Sequence, residues 1–231
     1  MIKKVWTYGC SVSNCSYSPG QDVIDACLHP ERTYSGYLSD LLQAENMHYA
    51  KGCGSNDRIF RLVCNHIING QIKSDDLIII QYTNVHRREF WSRHEIDLNK
   101  WRMREQYKDG QLLRFMPKWP DGNPIEKNFQ EIYADNFLGI DYDIDVFEGR
   151  NMSLQALCEL YKIPTIFITS KSTDFDFLQK TKYIDKVDIK EFFLIDQYLP
   201  LFNDDDGHFT PAGHKAVAKK IYKKLLDLNL V

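Results

Sequence analysis

Leu77-Ile78-Ile79-Ile80-Gln81-Tyr82 is the stretch on which the fold turns. A strand with one face in water alternates apolar and polar side chains, and this one does not. A strand with no polar face is covered on both sides, which is the situation of a parallel sheet flanked by helices. Outward from this run, strand-like and helix-like segments alternate. Lys4–Tyr8 reads as the first strand and residues 47–50 as the second. Residues 31–45 carry Tyr34, Tyr37, Leu38, Leu41 and Leu42 at helical spacing, and residues 56–69 carry Ile59, Phe60, Val63 and Ile67. Residues 154–161 read as helix, 164–169 as strand and 192–195 as a short fifth strand. Residues 211–228 form a closing amphipathic helix with Ala216, Val217, Ile221 and Leu225 inward. This order predicts an α/β domain with a central five-stranded parallel sheet and helices on both faces. In such sheets ligands sit at the carboxyl ends of the strands.

With 231 residues, no internal repeat and no Gly/Ser linker, the chain reads as a single domain over 1–231. The stretch 85–151 breaks the alternation. It holds the turn Lys108-Asp109-Gly110-Gln111, a Pro/Gly-rich segment and further helical patterns around 125–136 and 142–151, and reads as an insertion or lid. Composition is that of an ordinary globular protein, 43% hydrophobic and 26% charged. A net charge of −3 predicts no affinity for nucleic acid or anionic membranes. No apolar run is long enough to span a bilayer, and Met1-Ile2-Lys3-Lys4 leads into a polar, Ser-rich segment rather than a secretory apolar region. The expectation is a cytoplasmic protein acting on a small molecule or glycan. The six cysteines form no Cys-x-x-Cys pair and no zinc spacing, which fits reduced thiols and no metal.

The chemistry concentrates at the two ends. Asp205-Asp206-Gly207-His208-Phe209-Thr210-Pro211 runs into the closing helix. An acid three residues before a histidine on a tight loop can hold one imidazole nitrogen while the other faces outward as a base. The competing reading is a solvated acidic turn, and Asp206 is a spare acid. Gly9-Cys10-Ser11 follows the first strand, where a glycine lets the chain turn and a hydroxyl can face the sheet edge. A serine hydroxyl needs such a base to become a nucleophile. Cys10 is the rival, but neighbouring side chains point in different directions. Gly54, after the second strand, and Asn84, after the third, each offer an N–H donor at the same edge.

Taken together, these residues resemble the SGNH (GDSL-like) hydrolase family, which carries a Gly-Asp-Ser block, a Gly block, a Gly-x-Asn-Asp block and an Asp-x-x-His block in this order. Gly9-Cys10-Ser11, Gly54, Asn84 and Asp205-x-x-His208 fill those places, and His208 to His214 is the most specific match. Cys10 stands where the family has Asp. Tyr82 and Val85 stand where its third block has Gly and Asp. The resemblance implies a three-layer α/β/α flavodoxin-like sandwich. It implies Ser11 as nucleophile, His208 as base and Asp205 as its orienter. The oxyanion hole would comprise the Ser11 and Gly54 N–H groups and the Asn84 amide, with no cofactor. The implied activity is a serine esterase or deacylase.

Just past Asn84, the segment Arg87-Arg88-Glu89-Phe90-Trp91 interleaves bases and aromatics. Aromatic faces stack on sugars and Arg binds carboxylates, so Arg87, Arg88 and Trp91 are candidate contacts to an O-acylated carbohydrate. The alternatives are an acyltransferase moving an acetyl group to a sugar on the same triad, a non-catalytic carbohydrate-binding protein, or a Cys10 thiol enzyme.

Overall fold

The structure, a computed structural model, describes residues 1–10, 13, 30–51, 54–83, 88–92, 104–107, 110–115, 140–169, 180–189, 202–203 and 208–231. In chain order the elements begin with β1 (Lys4–Tyr8), a 3-10 turn (Pro30–Arg32), α1 (Tyr34–Leu42), β2 (Glu45–His48), α2 (Asn56–Ile68) and β3 (Leu77–Gln81). Next come β4 (Arg88–Ser92), β5 (Arg104–Tyr107), β6 (Gly110–Phe115) and α3 (Ile140–Leu160). The last are β7 (Thr165–Thr169), β8 (Ile184–Asp188), β9 (Phe202–Asn203), β10 (His208–Phe209) and α4 (Pro211–Asp227).

Five strands pair in parallel in the order β2-β1-β3-β7-β8. This is the doubly wound order whose switch point lies between β1 and β3. The unbroken apolar run of β3 is explained by what covers it. Leu77 and Ile79 join Val5, Ile166, Ile168 and Val187 in a core closed by α1 and α4. Ile78 and Ile80 join Trp6, Tyr8, Phe167 and Ile184 in a second core closed by α2 and α3. Neighbouring β3 residues thus serve opposite layers, and β1 and β7 alternate in the same way.

The fifth strand of the described sheet is Ile184–Asp188; residues 192–195, where a short strand is expected, lie outside the described residues. Ile184-Asp185-Lys186-Val187-Asp188 lacks an apolar run because it is an edge strand. Asp185 is nevertheless buried, between Lys224 of α4 at 2.8 Å and Lys180 at 3.5 Å. Burial works to raise its carboxyl pKa, but the Lys224 bond and the nearby positive charges hold it below the ordinary value.

The segments expected as helices at 142–151 and 154–161 are one continuous α3. Its Phe147 and Leu154 sit in the core, so residues 140–151 belong to the crossover between β3 and β7. The described part of 88–115 is an antiparallel sheet of order β4-β6-β5. The hairpin expected at 108–111 joins β5 to β6, with Tyr107 opposite Gly110. On α4, His214 and Ala218 are buried beside Val217, Ile221 and Leu225, whereas Ala216 is half-buried. No described helix is long and apolar enough to cross a membrane.

Between α1 and the β2 edge, Ser35 Oγ lies 2.8 Å from His48 Nδ1. Burial pulls the His48 pKa from 6.5 down to about 4. His66 shifts down as well, through burial and then the charge of Arg58. A histidine held neutral in the fold stabilises fully above its unfolded pKa. That stability drains as the unfolded chain takes up the proton below pH 6.5, and the loss levels off near pH 4. Urea denaturation across this window is expected to show a His48 contribution of up to about 3 kcal/mol. His48→Gln should flatten that part of the acid limb. An unchanged slope in the variant would contradict the assignment.

Candidate active site at the carboxyl edge of the sheet

Three crossover loops meet where β1, β2 and β3 end. The Gly9 carbonyl accepts the Lys51 N–H at 3.1 Å, and the Lys51 carbonyl accepts the Gly54 N–H at 2.9 Å. Gly54 is required by proximity. A Cβ there would lie 2.8 Å from the Gly9 oxygen and 3.0 Å from the Lys51 oxygen, both main-chain atoms that cannot swing aside. Ser55 then caps α2, its side chain accepting the Arg58 N–H at 3.1 Å.

The first residue of α2 ties this loop to the third. Asn56 Nδ2 donates to the Thr83 carbonyl at 2.9 Å, and Asn56 Oδ1 accepts the Thr83 N–H at 2.8 Å. Asn56 and Thr83 are both buried. One side-chain amide therefore satisfies two main-chain groups just beyond a strand end, where the sheet no longer can. Thr83 immediately precedes Asn84, so the block carrying Gly54 and the block carrying Asn84 are held in fixed relation up to that residue.

The turn after β1 is anchored differently. The Ser13 N–H donates to the Cys10 carbonyl at 3.1 Å, and Cys10 is itself a buried free thiol. The Ser13 hydroxyl donates to Gln81 Oε1 at the end of β3 and accepts from the Tyr34 hydroxyl at 2.7 Å. A Cβ on Gly9 would fall 2.2 Å from Ser13 Oγ. The carboxyl-terminal segment reaches the same place. The Tyr34 N–H, which opens α1, donates to His214 Nδ1 of α4 at 3.1 Å. This bond serves an N–H that the helix leaves without an internal partner, since Thr33 gives α1 no side-chain cap bond. The His214 ring lies 5.8 Å from Tyr34 and 5.5 Å from Phe209. Thr210 caps α4 by accepting the Gly213 N–H at 3.2 Å, with Pro211 following.

The flanks of the expected site residues are thus brought to one rim: Gly9, Cys10 and Ser13 about Ser11, Gly54 itself, and Thr83 before Asn84. Phe209 and His214 follow His208, whose backbone pairs with Asn203 in the β9–β10 ribbon. Ser11, Asn84, Arg87 and Asp205 lie outside the described residues. The side chains of His208, Arg88 and Trp91 do so too, although Arg88 and Trp91 occupy positions in β4 opposite Phe115 and Leu112. The Gly54 N–H expected in the oxyanion hole is engaged by Lys51, so serving an oxyanion means sharing or releasing that bond.

The antiparallel sheet is bonded to the start of α2. Asp57 Oδ2 accepts the Glu89 N–H at 2.9 Å, Asp57 Oδ1 accepts from Arg150 of α3, and Arg61 pairs with Glu89 at 3.2 Å. Sequence reasoning missed Tyr34, Ser13, Asn56 and Asp57. Asn56 alone had a local signal, as a polar residue opening a helix directly after the glycine block.

Comparison with solved structures finds this architecture across almost the whole chain. A member of the lipolytic G-D-S-L family from Veillonella parvula is 12% identical at a TM-score of 0.51, covering 96% of this chain and 97% of its own. A psychrotrophic esterase from Pseudoalteromonas sp. is 10% identical at a TM-score of 0.52, covering 97% and 99%. A carbohydrate esterase family 2 enzyme with a carbohydrate binding domain, from Corynascus thermopiles, is 10% identical at a TM-score of 0.55, covering 98% of this chain and 66% of that one. No protein-family profile and no curated protein sequence matches the chain. At these identities the likeness is one of fold.

Proposed function

We propose that this chain, which has the α/β fold of the SGNH (GDSL-like) hydrolases, is a serine esterase or deacylase. His208 takes the proton from Ser11 Oγ as that oxygen attacks an ester carbonyl. Asp205 holds the imidazole in the required tautomer and stabilises its charged form. Donors at the Ser11 and Gly54 N–H groups and the Asn84 amide receive the tetrahedral oxyanion, each at about 3 kcal/mol of barrier if lost. The imidazolium returns its proton to the departing alcohol. Water, deprotonated by the same base, then releases the acid and restores Ser11.

The observation that carries this reading is the convergence at one rim of Gly9–Cys10, Gly54 and Thr83, to which α4 is joined through Tyr34 and His214. An O-acylated carbohydrate is the substrate class to test first. Arg87, Arg88 and Trp91 follow the Asn84 block, and one protein of this fold is a carbohydrate esterase.

A fluorophosphonate probe is expected to form a single adduct on the peptide carrying Ser11 and none on the Ser11→Ala protein. An adduct on Cys10 instead, or no adduct, would overturn the proposal. Product analysis with an aryl acetate, with and without sugars, separates release to water from transfer to an acceptor.

A further inference from the structure

Tyr34 is fully buried, and both its hydrogen-bond donors are spent on segments distant in sequence. Its hydroxyl donates to Ser13 Oγ at 2.7 Å, and Ser13 Oγ donates onward to Gln81 Oε1. Its N–H donates to His214 Nδ1 at 3.1 Å, a bond between residues 180 apart in the chain. The hydroxyl chain runs in one direction, from α1 through the turn after β1 to the tip of β3. Burial raises the Tyr34 hydroxyl's pKa, so it remains a donor across the neutral range. His214 accepts at Nδ1, which leaves its proton on Nε2 when the ring is neutral.

We propose that Tyr34 is a positioning residue for the reaction, its hydroxyl fixing Ser13 two residues beyond the nucleophile while its N–H fixes His214 six residues beyond the base. The proposal rests on the esterase reading above and deepens it. A nucleophile and its base must hold their relative place within about half an ångström, and a misplacement of about 1 Å from a remote change can cost about a hundredfold in rate. Here the two groups sit on opposite ends of the chain with no covalent or sheet connection between their loops among the described residues. Tyr34 bonds to both segments. The aromatic ring lies beside His214, and the phenolic oxygen carries the bond to Ser13 of the turn. Packing and positioning can therefore be separated by one atom.

Tyr34→Phe keeps the ring and the N–H bond and removes the hydroxyl. Its kcat on 4-nitrophenyl acetate is expected to fall about tenfold to a hundredfold with KM within twofold of the parent. Ser13→Ala should fall by a similar factor, and the double variant no further, because both remove the same link. Amide exchange at Ser13 should quicken in Tyr34→Phe while exchange in α4 stays as in the parent. Ser11→Ala serves as the baseline. A parent no faster than Ser11→Ala overturns the esterase reading and this proposal with it. An active parent whose Tyr34→Phe variant keeps its kcat, or loses rate only in step with loss of folded protein, overturns the positioning role alone.

Discussion

Ser11→Ala is expected to lower aryl-ester turnover by about 10⁴-fold or more while leaving the melting temperature nearly unchanged. The substitution removes one oxygen and keeps Cβ, so the turn closed by the Ser13 N–H on the Cys10 carbonyl has no reason to open. What disappears is the covalent route. The imidazole then has no hydroxyl to activate, and any remaining rate comes from an oxyanion pocket presented to free water, which is worth roughly 10³-fold over solution. The same measurement decides between neighbours. Cys10 is buried against the end of β1, so Cys10→Ala should cost far less. A Cys10→Ala protein that loses most of its activity beside an active Ser11→Ala would reverse the assignment.

Gly9→Ala is the second large effect, and it acts without touching a reacting group. The added methyl would lie 2.2 Å from Ser13 Oγ and 2.8 Å from Ser13 Cβ. Ser13 has nowhere to retreat, since it is fully buried with Tyr34 on one side and Gln81 on the other. The strain must be relieved by shifting the turn that carries Ser11. We expect kcat/KM to drop about a hundredfold or more, near 3 kcal/mol of barrier. Stability should fall by about 1 to 3 kcal/mol, the usual range for an overfilled interior. Gly149→Ala is the control. Gly149 lies within α3, nothing stands within 4 Å of the added methyl, and removing a helix glycine should stabilise by about 0.5 to 1 kcal/mol. Equal activity in the parent and Gly9→Ala would show that this contact does not set the site.

The layers were legible in the sequence because burial leaves a periodic trace. The unbroken Leu77-Ile78-Ile79-Ile80 run announces a strand with a helix layer on each face, and the two cores divide those residues alternately. β8 was not legible. Its Asp185 is tolerated inside because Lys224, from α4, and Lys180 bring positive charge to it. The sequence divides α3 into two pieces because Gly149-Arg150-Asn151 interrupts the apolar pattern between Phe147 and Leu154, both of which lie in the core. The site divided along the same line. Gly54 was found from its place between a strand and a helix. Its actual constraint, the close approach of the Gly9 carbonyl, is a contact between two loops that no local window contains. Tyr34 read as one aromatic on a helical stripe. Its partners are contributed by the turn after β1 and by α4.

The capping of α1 by α4 also bears on how the protein is made. Residues 1–83 contain β1, β2 and β3 with α1 and α2, so a ribosome releases three neighbouring strands of the sheet early. Until α4 is synthesised, the side of those strands that carries Val5, Leu77 and Ile79 is covered by α1 alone, and the first turn of α1 lacks the imidazole that accepts its N–H. A nascent chain at that stage presents a sticky, half-clad sheet of the kind that chaperones bind and that aggregates when crowded. Translation stalled before residue 211 would therefore yield a product that is insoluble as well as inert.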